Sequence, residues 1–451
     1  MTKYMRDIIL SAVFSGGSGG YPEPTGELVL EYDKNGTFTE NVKDYASVKT
    51  TVNVSGGGGA SEMKDVNFFD IDGELLYSYT CEEALNLSEL PANTKTHSGL
   101  TSTGWNFTLD QIKYQAAFDG LDVGATYNST DDNTHIFVKL TNPNKLTQML
   151  RCTTTPSSAR DIFVDWGDGT EPSQIQYGVN VEHTFPACGE YELTVYSSTS
   201  TYGFQSVFGK VSSSEDVDLT YSRGCIQKVW FGKNCEGLYG NALNYASSLK
   251  MFNIATNITR FLTDSALRYM GNINTIIFPS NVSIGAYLPS YCGLLQHISI
   301  AKNIQAFSSN YSAFGSCGFS DVYMPLCVGE KPSQWMQNAT PLKRVRFDRD
   351  FRKIEYTMGN AYMSLQYVKI PENVSSFGST FAQFTSNIVV DCRAIKSVPA
   401  LTNIRPLNIN YNGIFVFDDS IVEDVKVATN WSGIADRILS ATEYESRYGG
   451  I

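Results

Sequence analysis

The sequence predicts a mainly β, multidomain protein that ends in a solenoid of stacked repeats. Apolar anchor residues recur from Ile226 to Ile388 at intervals of 22 to 24 residues. Before residue 225, stretches rich in Gly, Ser and Pro divide the chain into short segments, and several of these alternate apolar with polar residues as half-buried strands do. At 451 residues and 42% hydrophobic composition, the chain has room for about three folded domains.

The repeats share one phrase. Each of the first seven anchors is followed by apolar residues at the third and fifth positions, and three residues later by Asn, Cys or Asp. The anchors are Ile226, Leu249, Ile273, Leu295, Phe319, Leu342, Leu365 and Ile388. One strand with its return loop is too small to bury its own apolar side, so the units must stack. This is the phrase of leucine-rich repeats, including the Asn-or-Cys position.

Two runs narrow the class of repeat. FPSNV (residues 278–282) and IPENV (370–374) resemble the BspA-like, surface-protein class of leucine-rich repeats. Residues 414–444 resemble the segment that closes such arrays, which implies a last strand, a helix near 422–429, and Trp431 packed over the open end. The array with its cap is predicted to span residues 225–451. The resemblance implies a structural asparagine ladder made of Asn234, Asn257, Asn281, Asn303 and Asn373.

Three segments precede the sandwich and the array. Residues 1–27 form an N-terminal docking segment with a Gly-rich hinge, and residues 28–59 form a β-hairpin module around Asn35-Gly36, which suits a type I′ turn. Residues 60–145 are interpreted as a small α+β domain whose last strand spans residues 134–140. Within it, Asp70-x-Asp72-Gly73 is interpreted as a hairpin turn rather than a calcium loop, because no glutamate occupies the twelfth position. These modules resemble parts of tail-associated and fibre proteins of bacteriophages and prophages.

Residues 146–212 contain DIFVDWGDGT (161–170), followed by His183-Thr184-Phe185. This combination resembles a PKD-type β-sandwich domain. In that interpretation the glycines supply unusual backbone angles in a tight turn, the aspartates cap its amides, and the Trp fills the core. A catalytic carboxylate pair and a bound calcium are the alternatives, and the structural role is preferred. The residues concerned are Asp165, Trp166, Gly167, Asp168, Gly169 and His183.

Solenoid geometry predicts which side chains of the repeat strands point outward, in columns on one continuous sheet face. Aromatic residues beside Arg and Lys are typical of recognition surfaces. The predicted binding surface comprises Lys228, Trp230, His297, Tyr323, Arg344, Arg346, Tyr367 and Lys369. A basic cluster overlaps it, suiting an anionic partner or an acidic patch on a neighbouring subunit, with a solvated edge as the alternative. Its members are Lys343, Arg344, Arg346, Arg349, Arg352 and Lys353.

Composition excludes several classes of function. A net charge of -12 disfavours nucleic-acid binding, which needs a basic footprint. No apolar run approaches the ~20 residues that a membrane-spanning helix requires. Nine cysteines and four histidines show no metal-ligand spacing, so we expect no metal and no cofactor. No nucleophile elbow, phosphate loop or convincing carboxylate pair stands out, so no enzyme activity is expected.

The functional hypothesis from the sequence is a bacteriophage virion protein, a tail or head fibre, made in the host cytoplasm and carried in the particle as a homo-oligomer. Its N-terminal region would dock onto other virion proteins, and its solenoid would recognise a host cell-surface glycan or protein. One alternative is a BspA-like adhesin on the bacterial surface. The other is a purely architectural virion or decoration protein.

Overall fold

The computed structural model describes most of the chain after residue 62 and two short strands before it. The described residues are 29–32, 38–41, 63–208, 223–239, 242–256, 258, 260–261, 267–279, 283–284, 289, 291–302, 316–326, 342–354, 365–378, 388–402 and 413–449. The chain divides into two compact units, residues 1–60 and 61–451. In the first unit, Val29–Tyr32 (β1) pairs antiparallel with Phe38–Asn41 (β2). The Asn35-Gly36 turn and the docking segment lie outside the described residues.

The second unit begins with an α+β module, residues 63–129. Its two helices are Cys81–Leu85 (α1) and Leu109–Ala116 (α2), and each starts at a threonine capping box. The side chains of Thr80 and Thr108 each accept a hydrogen bond from a backbone amide in the first turn. In return, the side chains of Glu83 and Gln111 accept from the backbone amides of the two threonines. The helices cover a four-stranded sheet. In spatial order its strands are Leu75–Tyr79 (β4), Val66–Phe69 (β3), Leu121–Ser129 (β6) and Leu100–Trp105 (β5).

Two facing sheets follow and enclose a shared core. One carries Thr134–Leu140 (β7), Ile162–Asp165 (β9), Ser173–Gln174 (β10) and Gly189–Ser197 (β12), and the other Thr147–Thr155 (β8), Asn180–Thr184 (β11) and Thr201–Val207 (β13). The structure differs from the sequence interpretation on β7. That strand does not close the α+β module, because it pairs with β12 over seven residue pairs in the sandwich.

Both sandwich sheets continue into the repeat array. Ile226–Trp230 (β14) pairs antiparallel with β7, and Cys235–Leu238 (β15) pairs parallel with β13. One apolar core runs without a break from Ile136 in the sandwich to Ile438 at the end of the array. The sandwich therefore closes the first turn of the solenoid, which would otherwise expose its apolar edge.

The array is a β-solenoid, and all eight anchors are buried, with exposures of 0 or 1%. The strands of its main face run parallel wherever they pair with each other. They are Met251–Asn253 (β16), Thr275–Phe278 (β18), His297–Ile300 (β20), Asp321–Met324 (β21), Arg344–Phe347 (β22), Tyr367–Lys369 (β24), Val389–Cys392 (β26), Ile414–Phe417 (β28) and Ile438–Ser440 (β29). Short strands on the return side add Arg260–Phe261 (β17), Ser283–Ile284 (β19), Lys353–Ile354 (β23), Ser376–Phe377 (β25) and Ala400–Leu401 (β27).

The C-terminal end is closed by helix Val422–Val427 (α3), a 3-10 helix Trp431–Arg437, and helix Ala441–Tyr448 (α4). Trp431 is fully buried and its Nε1 donates to the carbonyl oxygen of Pro399 at 2.7 Å. Its ring meets Phe377, Phe415 and Phe417 edge-on. The last turn of the solenoid is thus sealed by one large aromatic residue. Among the described helices, none is long and apolar enough to cross a membrane.

The predicted asparagine ladder differs from its expected form at the positions that the structure describes. Asn234 donates from Nδ2 to the carbonyl of Ser197 at 3.0 Å, and so ties the array to the sandwich. Asn373 is solvent-exposed. Asn257, Asn281 and Asn303 lie outside the described residues.

Candidate binding surfaces

The predicted binding surface is covered by the chain's own α+β module. Strand β6 crosses the main face of the array and lies against β16, β18, β20 and β21. Gly124 on β6 permits this approach, since a Cβ there would lie 2.4 Å from the Ile277 side chain. Trp230 and Tyr323 are each only 2% exposed, and pack with module residues in apolar clusters. The expectation that these aromatic residues face solvent is therefore corrected.

Polar contacts fix the position of the module. Asn106 donates from Nδ2 to the Phe278 carbonyl at 3.1 Å and to Ser299 Oγ at 2.9 Å. Gln115 on α2 donates to the Phe347 carbonyl at 3.0 Å and accepts from the Arg349 amide at 2.9 Å. Because each of these hydrogen bonds requires a specific partner at short distance, together they hold the module in one register against the strands.

Arg346 is a fully buried charge at this interface, at 1% exposure. Its guanidinium lies 3.0 Å from Asp122 of the module and 2.8 Å from Asp321 of the preceding turn, and donates to the Asp65 carbonyl at 3.0 Å. Burial lowers the pKa of Arg346, but the two carboxylates outweigh it and raise the pKa above its ordinary value. The side chain predicted to contact a partner is instead an internal ion-pair centre.

Most of the remaining members of the predicted surface contact other residues of the same chain. His297 stacks on Phe69 at 4.0 Å, and burial lowers its pKa. Arg344 pairs with Asp119 at 2.6 Å, Lys369 donates to the Phe118 carbonyl at 2.5 Å, and the hydroxyl of Tyr367 donates to Asp391 at 2.9 Å. Lys228 is exposed. A cavity of about 270 Å³ remains beside this interface, lined by Met63, Asp122, Gln296, His297, Gly318, Ser320 and Asp321.

The basic cluster divides into an interface part and an exposed part. Arg344 and Arg346 contact the module as described, and Arg349 pairs with Glu372 at 2.9 Å. Lys343, Arg352 and Lys353 are exposed. Arg344, Arg346 and Arg349 therefore serve contacts within the chain, while Lys343, Arg352 and Lys353 are the members accessible from solvent.

The WGDG segment forms a tight turn at the end of β9. Gly167 and Gly169 have φ of +75° and +83°, and a Cβ at Gly167 would lie 2.2 Å from the Glu192 carbonyl oxygen. Asp165 accepts from the Gly167 amide at 2.9 Å, while Asp168 accepts from the Thr170 amide at 3.1 Å. Trp166 is fully buried and stacks at 4.8 Å on His183. All these contacts support the turn and the sandwich core, and the PKD resemblance itself stays a prediction.

Asp168 gives this turn an expected acid sensitivity. Its side chain is 1% exposed and lies 2.7 Å from His183 Nε2. Burial raises its pKa, but hydrogen bonds from Thr170 and His183 outweigh this, and the pKa is lowered overall. A carboxylate with a lowered folded-state pKa contributes stability above its unfolded pKa of about 3.9, and that contribution is lost as the pH falls toward the folded value.

We therefore expect Asp168→Asn to cost about 1–3 kcal/mol at pH 7, where a buried charge-assisted contact is lost. The difference from wild type should shrink as the pH is lowered from about 5 toward 2. Urea midpoints across this range measure it. Asp165→Asn keeps an acceptor for Gly167 and is the matched control. A difference that does not change with pH would contradict the assignment.

Asp70, Asp72 and His97 bring ligand atoms within 4.8 Å of one another. Asp70 is fully buried but already engaged, at 2.6 Å from both His97 Nε2 and the Tyr127 hydroxyl. Lys95 lies 3.3 Å from Asp72 and supplies a competing cation. The backbone closes a hairpin turn here, since the Gly73 amide donates to the Asp70 carbonyl. These residues therefore stabilise the turn between β3 and β4.

A second candidate surface lies on the turns that lead into the repeat strands. Tyr245, Tyr269 and Tyr291, here called the tyrosine column, stack in parallel across three consecutive turns. The ring centroids are 4.7 Å and 4.8 Å apart, with interplanar angles of 1° and 19°. Tyr245 is 38% exposed and Tyr291 46%. The Arg268 guanidinium lies 5.2 Å from the ring centroids of both Tyr269 and Tyr291.

The tyrosine column is costly to maintain. All three residues have φ between +58° and +67°, a region that suits Gly or Asn far better than an aromatic residue. The left-handed conformation costs about 1–2 kcal/mol per residue, or about 3–6 kcal/mol for three. Two stacked pairs stabilise the column by about 1–3 kcal/mol, in addition to the stabilisation from burying their surface. Stacking at best matches the lower end of this cost, and strained residues of this kind cluster at functional sites.

Sequence reasoning missed this column although a signal was present. Each tyrosine stands four residues before an anchor, in YASSL (245–249), YMGNI (269–273) and YCGLL (291–295). The repeat phrase that identifies the array begins at each anchor, and the tyrosines precede it. For the covered face, the signal was the uninterrupted apolar run Ile276-Ile277-Phe278, which is typical of a parallel strand covered on both sides.

Comparison with known proteins shows that the array is similar to a known family of repeats. Residues 221–317 and 262–389 match the BspA type leucine rich repeat region, with six copies. Among solved structures, a leucine-rich repeat protein from Bacteroides ovatus ATCC 8483 is 12% identical, with a TM-score of 0.30, and the match covers 48% of this chain and 67% of that chain. No curated protein matches. Neither match points to a bacteriophage particle or to a PKD domain.

Proposed function

Since residues 221–389 are a BspA-type leucine-rich repeat region, we propose that this protein is a surface-associated binding protein of the adhesin type. The match to the BspA type of repeat supports this proposal, since the sequence resembles the surface-protein class of such repeats. The role is one of recognition, with no chemical step on the ligand. This proposal replaces the virion fibre as the favoured interpretation.

The observation that carries the proposal is the tyrosine column. The main face of the array is covered by the α+β module, so a ligand approaching the array from solvent meets its turns. Among the described repeat turns, Tyr245, Tyr269 and Tyr291 with Arg268 form an aromatic and cationic group of the kind that dominates binding energy.

The test uses the full chain, labelled with a fluorophore, against intact bacterial cells and cultured epithelial cells. We expect saturable binding to at least one cell type. The variant Tyr245→Gly/Tyr269→Gly/Tyr291→Gly should lose at least about tenfold in affinity, as the loss of an aromatic hot spot does. Gly suits the positive φ of all three positions, so the variant is expected to fold. Tyr177→Ala, an exposed tyrosine in the sandwich, is the matched control.

Localisation provides a separate test. An antibody against the chain should label intact cells of the producing bacterium. Recovery of the protein in purified phage particles, with unlabelled cells, would overturn the adhesin proposal in favour of a virion component.

A further inference from the structure

Building on the proposed function, we infer that the tyrosine column binds the chain of a carboxylate-bearing glycan. The rings lie face to face, so a ligand from solvent meets their edges and phenol groups. Aromatic edges carry positive potential, and phenol hydroxyls donate hydrogen bonds. Both features favour a ligand rich in oxygen acceptors.

Local charge favours an acidic ligand. Between residues 242 and 296 the sequence contains three basic residues and one acidic residue, in a chain with a net charge of -12. The basic residues are Lys250, Arg260 and Arg268, and the acidic one is Asp264. Lys250 is exposed, and Arg268 lies beside two rings of the column. A sign reversal of this kind raises the local concentration of anions.

The shape of the surface favours a glycan chain over a peptide. Two residues after each tyrosine comes a small residue, namely Ser247, Gly271 and Gly293, and all three are exposed. A Cβ at Gly293 would have no neighbour within 4 Å, so the surface beside Tyr291 is open. Extended peptides are recognised by an open strand edge with side-chain pockets, or by a groove. An exposed row of small residues beside a column of aromatic rings instead leaves room for a chain of sugar rings.

The experiment is calorimetric titration of the full-length protein with polygalacturonate oligomers as the carboxylated glycan. Dextran is the neutral glycan, and polyglutamate is the acidic peptide. We expect binding to polygalacturonate that weakens with added salt, and at least about tenfold weaker binding to the other two. The triple Tyr→Gly variant should lose at least about tenfold in affinity. Arg268→Gln should lose about three- to tenfold and show a weaker salt dependence.

Several results would overturn the inference. If polyglutamate binds as tightly as polygalacturonate, the column is a non-specific cationic patch. If dextran binds as tightly as polygalacturonate, charge plays no part in recognition. Circular dichroism shows whether the triple variant folds, and Arg268→Gln tests the column without replacing a tyrosine. If cells bind the wild type and the triple variant equally, the column assignment fails while surface binding through another site stands. If glycan binds but no cell does, the adhesin proposal fails instead.

Discussion

Arg346→Ala is expected to destabilise the protein by about 3–5 kcal/mol, because removing one partner of a buried ion pair leaves the other charge uncompensated. Here two carboxylates, Asp122 and Asp321, face the guanidinium from the module and from the array. The loss should appear as a lower urea midpoint, and the module should lose its contact with β22. Hydrogen exchange at the amides of β6 would report that second effect, since exchange there requires local opening.

The matched control is Arg447→Ala, which breaks an exposed pair with Glu443 on α4 and should change stability by less than about 0.5 kcal/mol. A combined Arg346→Met/Asp122→Asn/Asp321→Asn variant should recover part of the loss, since it removes the uncompensated charges. If Arg346→Ala costs no more than Arg447→Ala, the ion pairs at this interface do not stabilise the docked module.

A fragment of residues 225–451 is expected not to fold cooperatively, although the repeats begin there. It lacks β7 and β13, so β14 and β15 lose their partners in both sandwich sheets. It also exposes Trp230, Ile277 and Tyr323, which are 2 to 6% exposed in the intact chain. A terminal repeat without its cap leaves an apolar edge in water. Size-exclusion chromatography should show aggregates, and calorimetry no sharp transition.

The compact unit of residues 61–451 is the comparison for this fragment. It keeps both caps and the module, and should be monodisperse with a melting temperature within a few degrees of the full chain. A fragment of residues 225–451 that melts sharply and stays monodisperse would show that the array closes its own first turn.

The array could be predicted from the sequence because its stability depends on a local period. The anchors, the apolar partners at the third and fifth positions, and the closing Trp431 are all buried where the repeat phrase expects them. The hairpin turn at Asp70-x-Asp72-Gly73, which joins β3 and β4, could be predicted for the same reason, since turns depend on neighbours in sequence.

The covered face could not be predicted in the same way. Periodicity states which way Trp230 and Arg346 point, but not what lies against them. Their partners, such as Ile71 and Asp122, are more than 150 residues away in sequence. Strand β7 was misassigned for a related reason, because its alternation fits either sheet, and only pairing with β12 and β14 decides between them.

The docked module also restricts how the array can evolve. A free solenoid can gain or lose a unit of about 23 residues, because each unit contacts only its neighbours. Here residues 63–129 contact consecutive turns from Trp230 through Asn253, Ile277, Ser299, Tyr323, Arg346 and Lys369. Deleting one of these turns would move every later contact by one strand spacing and separate Arg346 from Asp122. The number of units under the module is therefore locked, and length changes are confined to the turns after Lys369.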